Sequence, residues 1–357
     1  MTTNGKVRLG LYGCGNRTQA LLNSLRLDEA FQVVAAYDLR PEKVRALVER
    51  FGGRPCAQSR DLVEYRDVDA FVISLDPFAH AAAFFETVEA RKPIFIEKPI
   101  AMTAREARAM RDKAADYQVP VQVGFMRRFL PEQTAAHRFL AANPPGRLFG
   151  VRCTWMHAGE TEMINCLNNC PDNFRLKVSQ IPFHCCHALD VMQTYGGEVK
   201  RVAAAGIKWV QRPYPSPDYV LATLEFANGA LGHFHYSSQS FKFEISYLLH
   251  YENYTLSLNG DEMSIWRRPP FASLRNDGSQ NCAPNYVRYT GPDKCTFGAY
   301  PVDAVIFQRF LDGVRGGGAL SPGLDEGWRT AELAEAIERS WKERRPIDLP
   351  LTLEVLE

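Results

Sequence analysis

The chain has 357 residues, which at about 150 residues per domain implies two domains or one large one. Hydrophobic residues make up 46% and charged residues 23%, a globular balance that excludes a disordered chain or a coiled coil. Forty-two basic against forty-one acidic side chains leave a formal net charge of +1, no electrostatic footprint for nucleic acid or an anionic membrane.

No apolar run approaches the roughly 18 residues of a membrane-spanning helix, and the start Met1-Thr2-Thr3-Asn4-Gly5-Lys6 lacks a signal-peptide core. Nine cysteines, an odd number scattered from Cys14 to Cys295, imply no disulfide framework. A reduced, cytoplasmic protein is expected.

In chain order, Val7–Tyr12 reads as a strand, followed by a helical pattern with apolar positions at Ala20, Leu21, Leu22 and Leu25. A second strand covers 32–37, and Pro41 opens the next helix at a first-turn position. Residues 70–75 form a continuous apolar run of the kind that buried parallel strands show. Strands at Ile94–Ile96 and 120–123 follow, with helices at 78–91 and 103–117 between them. This alternation predicts an α/β doubly wound parallel sheet with right-handed crossovers. After about residue 125 the rhythm changes to longer alternating strands at 149–155, 220–226 and 229–236. They predict a second, α+β domain with an open antiparallel or mixed sheet. Residues 262–300 are rich in Pro, Gly and Asn without a clear period, and read as a functional loop or as missed elements. Two helical patterns near 301–314 and 324–343 close the chain.

Between the first strand and the first helix stands Gly13-Cys14-Gly15-Asn16-Arg17-Thr18. Glycine at 13 allows a tight turn, and glycine at 15 lets the backbone approach a pyrophosphate at the helix N-terminus. Thr18 takes the third glycine position, so the fingerprint is incomplete. Asp38, 23 residues beyond Gly15 at the end of the second strand, has the spacing of a carboxylate that grips ribose hydroxyls. Its other reading is a helix cap before Pro41. A carboxylate there repels a 2′-phosphate and favours NAD, while Arg40 leaves NADP open. Glu97-Lys98-Pro99 follows directly on a buried strand, so Lys98 stands at the crevice end of the sheet, with Glu97 beside it to orient the amine. There an amine can steady charge developing on a reacting oxygen; an exposed strand-end charge pair is the alternative.

Several separated motifs resemble the glucose–fructose oxidoreductase/inositol dehydrogenase/MocA family in the right order. They are Gly10-Leu11-Tyr12-Gly13-Cys14-Gly15, Ser74-Leu75-Asp76-Pro77-Phe78-Ala79-His80, Glu97-Lys98-Pro99, Gly124-Phe125-Met126-Arg127-Arg128-Phe129, and the closing segment 300–351. The resemblance implies a Rossmann domain over 1–125 and an α+β substrate and oligomerisation domain over 126–357, with the C-terminal helices free to pack back on the first. It implies a nicotinamide cofactor, NAD with NADP possible, touching Gly13, Gly15, Asn16, Arg17, Asp38, Ser74, Leu75, His80, Glu97 and Lys98. It implies hydride transfer to or from a secondary hydroxyl or ketone of a sugar, cyclitol or polyol derivative, in a homo-oligomer, dimer or tetramer. Lys98 matches the family's catalytic lysine.

The family's second-domain pattern, Asp-x-x-x-His-x-x-Asp, reads here from Phe183 to His187 and Asp190. His187 is thus the candidate acid–base residue, because an imidazole titrates near neutrality; a structural helix-start histidine is the other reading. Phe183 stands where the leading acid is expected, which removes a polar grip, and His184 is a partial replacement. Arg127, His157, His184 and Asp190 are the candidate substrate contacts, whereas a salt bridge explains Arg128 equally well. Cys166, Cys170, His184, Cys185, Cys186 and His187 contain enough soft ligands for zinc, yet small buried cysteines beside a dehydrogenase helix explain them better, and no metal is expected. Residues 160–182 are candidates for setting specificity. Two other readings stay open: tightly bound, recycled NAD in glycoside cleavage or two-substrate oxidoreduction, and a non-catalytic sensor of dinucleotide and sugar.

Overall fold

The computed structural model describes residues 5–25, 30–158, 178–209, 215–260, 262–267, 285–289, 301–316 and 319–352. The chain divides into two compact units, one built from Met1–Met126 and Pro301–Glu332, the other from Arg127–Tyr300 and Leu333–Thr352.

In the first unit, strands β1 (Val7–Tyr12), β2 (Phe31–Tyr37), β3 (Arg54–Pro55), β4 (Ala70–Ile73), β5 (Ile94–Ile96) and β6 (Val121–Val123) pair in parallel. Their order is β3-β2-β1-β4-β5-β6, the doubly wound arrangement. Leu9, Leu11, Phe71, Val72, Ile73 and Phe95 are buried, as continuous apolar runs in a sheet covered on both faces require. The covering helices are α1 (Asn16–Ser24), α2 (Pro41–Phe51), α3 (Ser59–Val63), α4 (Pro77–Val88) and α5 (Ala104–Tyr117). Proline opens α2 and α4, where a missing N–H costs nothing. Thr103 starts α5 by accepting the Glu106 N–H at 3.2 Å, while its hydroxyl donates to the Glu106 carboxylate at 2.9 Å. The order reverses between β1 and β4, so the ligand crevice of this sheet lies outside the C-terminal ends of those strands.

The second unit holds a mixed sheet of β7 (Leu148–Ala158), β8 (Val199–Ile207), β9 (Tyr219–Phe226), β10 (Leu231–Ser237), β11 (Gln239–Tyr251), β12 (Tyr254–Asn259), β13 (Glu262–Arg267), β14 (Asn285–Tyr289) and β15 (Ile347–Asp348). Among the described residues the order is β14-β13-β12-β11-β7-β10-β9-β8-β15. β7 and β10 run parallel; the remaining neighbours are antiparallel. Burial alternates strictly along β9, so Val220, Ala222, Leu224 and Phe226 face the core. Among the described residues before 300, this unit also holds helices α6 (Pro131–Ala142), α7 (Gln180–Phe183) and α8 (Cys186–Gly196), and α8 lies against β7. Of the two readings of 262–300, β13 and β14 bear out missed elements: part of that stretch is sheet. The hairpin signal Asn259-Gly260 precedes β13, between alternating runs at 254–259 and 262–267, whereas β14 has no such signal. Residues 268–284 and 290–300, and most of the 160–182 stretch, lie outside the described residues.

Two helices close the chain, α9 (Val302–Val314) and α10 (Leu324–Glu343). α9 belongs to the first unit, where Phe307 and Phe310 set their rings 5.7 and 5.6 Å from Phe95, edge to face. Phe307 also meets Phe31 at 5.8 Å, and the buried Gln122 side chain donates to the Ile306 carbonyl at 2.9 Å. The first sheet therefore borrows a core helix from the far end of the chain. Phe307→Ala should cost about 3–5 kcal/mol of stability, read as a lowered urea midpoint with an unchanged denaturant slope.

Candidate functional site

The loop after β1 is shaped by one close approach. Gly13 has φ +105°, and a Cβ there would lie 2.1 Å from the Ser74 carbonyl oxygen, so only glycine fits between the ends of β1 and β4. Gly15 opens onto free space and immediately precedes α1. It has no side chain to cap the helix, so the first-turn N–H groups face outward as donors for an anion. Thr18, in place of a third glycine, is fully buried and donates its hydroxyl to the Gly13 carbonyl at 2.8 Å. A side chain thereby ties helix to turn, where the expected glycine would only permit close packing. Asn16 is exposed at the first position of α1. An open glycine, an uncapped helix start and a turn at the sheet's switch point fit a dinucleotide pyrophosphate.

Asp38 braces the glycine loop and the turn that follows β2. Its carboxylate accepts the Cys14 N–H at 2.9 Å and the Arg40 N–H at 3.0 Å, with the Arg40 guanidinium 3.6 Å away. Each oxygen keeps a further lone pair, so the group that braces the loop can also accept from a hydroxyl. Cys14, enclosed by this loop, has its thiol pushed up to about 12 by burial and by the charge of Asp38.

At the end of β5, Glu97 is 4% exposed. One oxygen accepts the Arg17 Nε at 2.7 Å; the other accepts the backbone N–H of Lys98 at 3.2 Å. The two terminal nitrogens of Arg17 reach Asp303 on α9 at 2.7 and 2.9 Å. Burial works against the Arg17 charge, but the Glu97 and Asp303 carboxylates outweigh it and hold the guanidinium pKa above its usual range. Lys98 itself is half-buried. Arg17 and Glu97 were expected to touch the cofactor; their polar atoms are instead directed at each other, at Asp303 and at the backbone. Asp303 gave no sequence signal, since it lies in a remote helix start.

His80 also departs from expectation. It is fully buried, so it braces backbone instead of meeting a ligand. Nε2 accepts the Leu75 N–H at 3.2 Å, which leaves Nδ1 to donate to the Pro99 carbonyl at 2.8 Å. Burial pushes its pKa down to about 4, so the ring is neutral. The turn at Ser74 and Leu75 is thereby tied to the segment carrying Lys98. Ser74 is buried and donates its N–H to the Tyr12 carbonyl at 3.0 Å, while Leu75 is partly exposed.

In the second unit, His187 is the second residue of α8 and is 6% exposed. Asp190, one turn on, is 1% exposed and takes the Arg128 guanidinium on both oxygens at 2.6 and 2.8 Å. The carboxylate that was read as a substrate contact is thus enclosed and holds an internal ion pair. Arg127, its neighbour in the turn Met126–Phe129, lays its guanidinium 4.5 Å from the centre of the Trp155 ring. His184 meets the same indole edge-on at 5.5 Å, so the structure brings Arg127 and His184 together on a residue that the motifs did not single out. Trp155 Nε1 is buried with no hydrogen-bond partner among the described residues. His157 lies in β7, with its side chain outside the described residues, as are Cys166 and Cys170. Cys185 and Cys186 are buried, and no cluster of three or more His, Cys, Asp or Glu arranged for a metal occurs among the described residues.

Residues 7–125 match the model of an oxidoreductase family with an NAD-binding Rossmann fold, and residues 182–349 match that family's C-terminal alpha/beta domain. The chain belongs to the glucose–fructose oxidoreductase/inositol dehydrogenase/MocA family of NAD-dependent oxidoreductases. It is 24% identical over 365 residues to levoglucosan dehydrogenase of Pseudarthrobacter phenanthrenivorans, covering 88% of each chain. It is 35% identical over 137 residues to inositol 2-dehydrogenase of Acidothermus cellulolyticus, covering 37% of this chain and 39% of that one. A solved levoglucosan dehydrogenase in complex with NADH superposes with a TM-score of 0.81 over 97% of this chain and 99% of that chain, at 22% identity, a likeness of fold.

The His80 brace makes stability depend on pH. Its folded pKa is depressed, so the unfolded chain binds the proton more readily, and stability falls as pH drops below 6.5 towards about 4. Between pH 7 and 5 this one group should remove about 2 kcal/mol. Urea melts of His80→Asn should show lower stability at pH 7 and a flatter decline with acidification than the unmodified protein.

Proposed function

We propose that the protein is a dehydrogenase that uses NAD to oxidise a secondary hydroxyl of a sugar, cyclitol or polyol derivative, or to reduce the corresponding ketone. The observation that carries this reading is Lys98 at the crevice end of β5, its backbone held by the buried Glu97, in a chain of this oxidoreductase family. Names among the relatives, levoglucosan dehydrogenase and inositol 2-dehydrogenase, support polyhydroxylated carbon as the substrate class.

Bound NAD supplies the hydride acceptor or donor. The start of α1 and the loop at Gly13 and Gly15 hold the pyrophosphate by backbone N–H groups. Asp38 accepts from the ribose hydroxyls and disfavours a 2′-phosphate by repulsion. Lys98 hydrogen-bonds the reacting oxygen and steadies the charge that develops on it. His187 takes or returns the hydroxyl proton. Arg127 and His184 present polar edges from around the Trp155 ring to the substrate's remaining hydroxyls. The alternating exposed residues Phe149, Leu221 and Leu231 on the sheet of the second unit support self-association through that face.

The test is a screen with NAD⁺ and NADP⁺ against cyclitols, hexoses, uronic acids and glycosides, following both reduced-nicotinamide absorbance and substrate loss. One substrate class should reduce NAD⁺ in preference to NADP⁺. Lys98→Ala should lower turnover at least about 100-fold while NADH affinity, measured by fluorescence titration, stays within about threefold. Lys98→Ala with most of its turnover intact rules out the mechanism. Asp38→Asn should weaken NADH binding roughly tenfold and narrow the preference over NADPH.

A further inference from the structure

We propose that Arg17 and Asp303 are positioning residues for Lys98, acting through Glu97. The inference rests on the catalytic reading of Lys98 and adds two residues that touch neither substrate nor the reacting atoms. Glu97 is enclosed on each side that the structure describes. Arg17 Nε holds one oxygen at 2.7 Å, and the Lys98 N–H holds the other at 3.2 Å. Gly124, just past the end of β6, leaves the room: a Cβ there would come within 2.9 Å of Glu97 Oε2 and 3.0 Å of its carboxyl carbon. Arg17 is in turn aimed by Asp303, whose two oxygens take both terminal nitrogens in a fork.

The three side chains join three elements that carry different parts of the site. Arg17 is the second residue of α1, the helix at whose start the pyrophosphate is held. Glu97 ends β5 and precedes the lysine. Asp303 lies in the first turn of α9, which packs in the phenylalanine core. The chain Asp303–Arg17–Glu97–Lys98 therefore fixes the direction in which the lysine leaves the strand, and links it to the helix that holds the dinucleotide. A planar guanidinium suits this role because its fork fixes an angle as well as a distance. The charges also fit: two carboxylates and one guanidinium leave one negative charge beside the lysine.

Opposite charge changes at the two ends of the chain separate positioning from mere structural support. Asp303→Asn keeps the shape and removes a negative charge; Arg17→Gln removes a positive one. Competitive labelling of Lys98 with acetic anhydride across pH, quantified by mass spectrometry, reads the amine directly and requires no substrate. Asp303→Asn should move the labelling midpoint down, and Arg17→Gln should move it up, each by about 0.5 pH unit or more. With a substrate from the screen, both variants should lower kcat about tenfold or more, with KM for NAD⁺ within about threefold, and Asp303→Glu should recover most of the loss. Midpoints that stay in place, or shift together in one direction, overturn the inference, as does kcat within twofold of the unmodified enzyme. If no substrate shows Lys98-dependent turnover, the functional reading fails separately and the labelling midpoints alone decide the positioning claim. Should either variant fail to fold, Arg17→Lys, which keeps the charge and loses the fork to Asp303, is labelled in its place; unchanged Lys98 reactivity there rejects the proposal.

Discussion

Glu97 sets the terms for the first unit. A carboxylate at 4% exposure on the end of a strand is tolerable only if its charge and lone pairs are matched. Arg17 matches the charge, the Lys98 N–H takes the second oxygen, and Gly124 gives up a side chain to leave the space. Arg17 in turn would add a positive charge next to the helix start, and Asp303 absorbs it. Replacing such a group of charges with apolar residues is often neutral for stability, whereas removing one partner is costly. That asymmetry argues that the cluster fixes geometry at the end of β5 more than it adds net stability.

The other loops at the same end of the sheet are fixed by backbone-directed bonds. Gly13 lies against the Ser74 carbonyl, Thr18 holds the Gly13 carbonyl, and Asp38 holds the Cys14 and Arg40 N–H groups. His80 joins Leu75 to Pro99. The segments following β1, β4 and β5 thus form one braced rim in which each side chain satisfies a backbone group of a neighbouring loop. A rim of this kind keeps its shape without a ligand, so less ordering entropy opposes binding.

Much of this architecture was legible in the sequence. β1, β5 and α10 fall on the predicted residues, and α2 starts at Pro41 as expected, because continuous apolar runs and a helix-opening proline act locally. β13 follows the turn pair Asn259-Gly260 and pairs with β12, whereas β14 lies in Pro-, Gly- and Asn-rich surroundings and its pairing with β13 is a tertiary fact. Motifs located the candidate residues but not their partners. Arg17 and His80 stand in cofactor motifs and Asp190 in the histidine motif, yet each is spent on internal bonds. Asp303, 286 positions from Arg17, carries no local pattern at all. Sequence spacing reports which chemistry is near a loop; it does not report which atoms are already satisfied.

The second unit follows the same logic with different chemistry. The adjacent arginines of the turn Met126–Phe129 go to different elements, Arg127 to the Trp155 ring on β7 and Arg128 to Asp190 on α8. One short turn is therefore fastened both to the strand that leads to His157 and to the helix that carries His187. Asp190 was read as facing substrate because it follows His187 by one turn; its enclosed carboxylate is paired with Arg128, which fastens the helix to the turn. With Phe183 in place of an acid, no carboxylate from that motif remains to meet a hydroxyl. What the motif region retains is a cation and imidazoles, with Arg127 and His184 both set against the buried Trp155 ring.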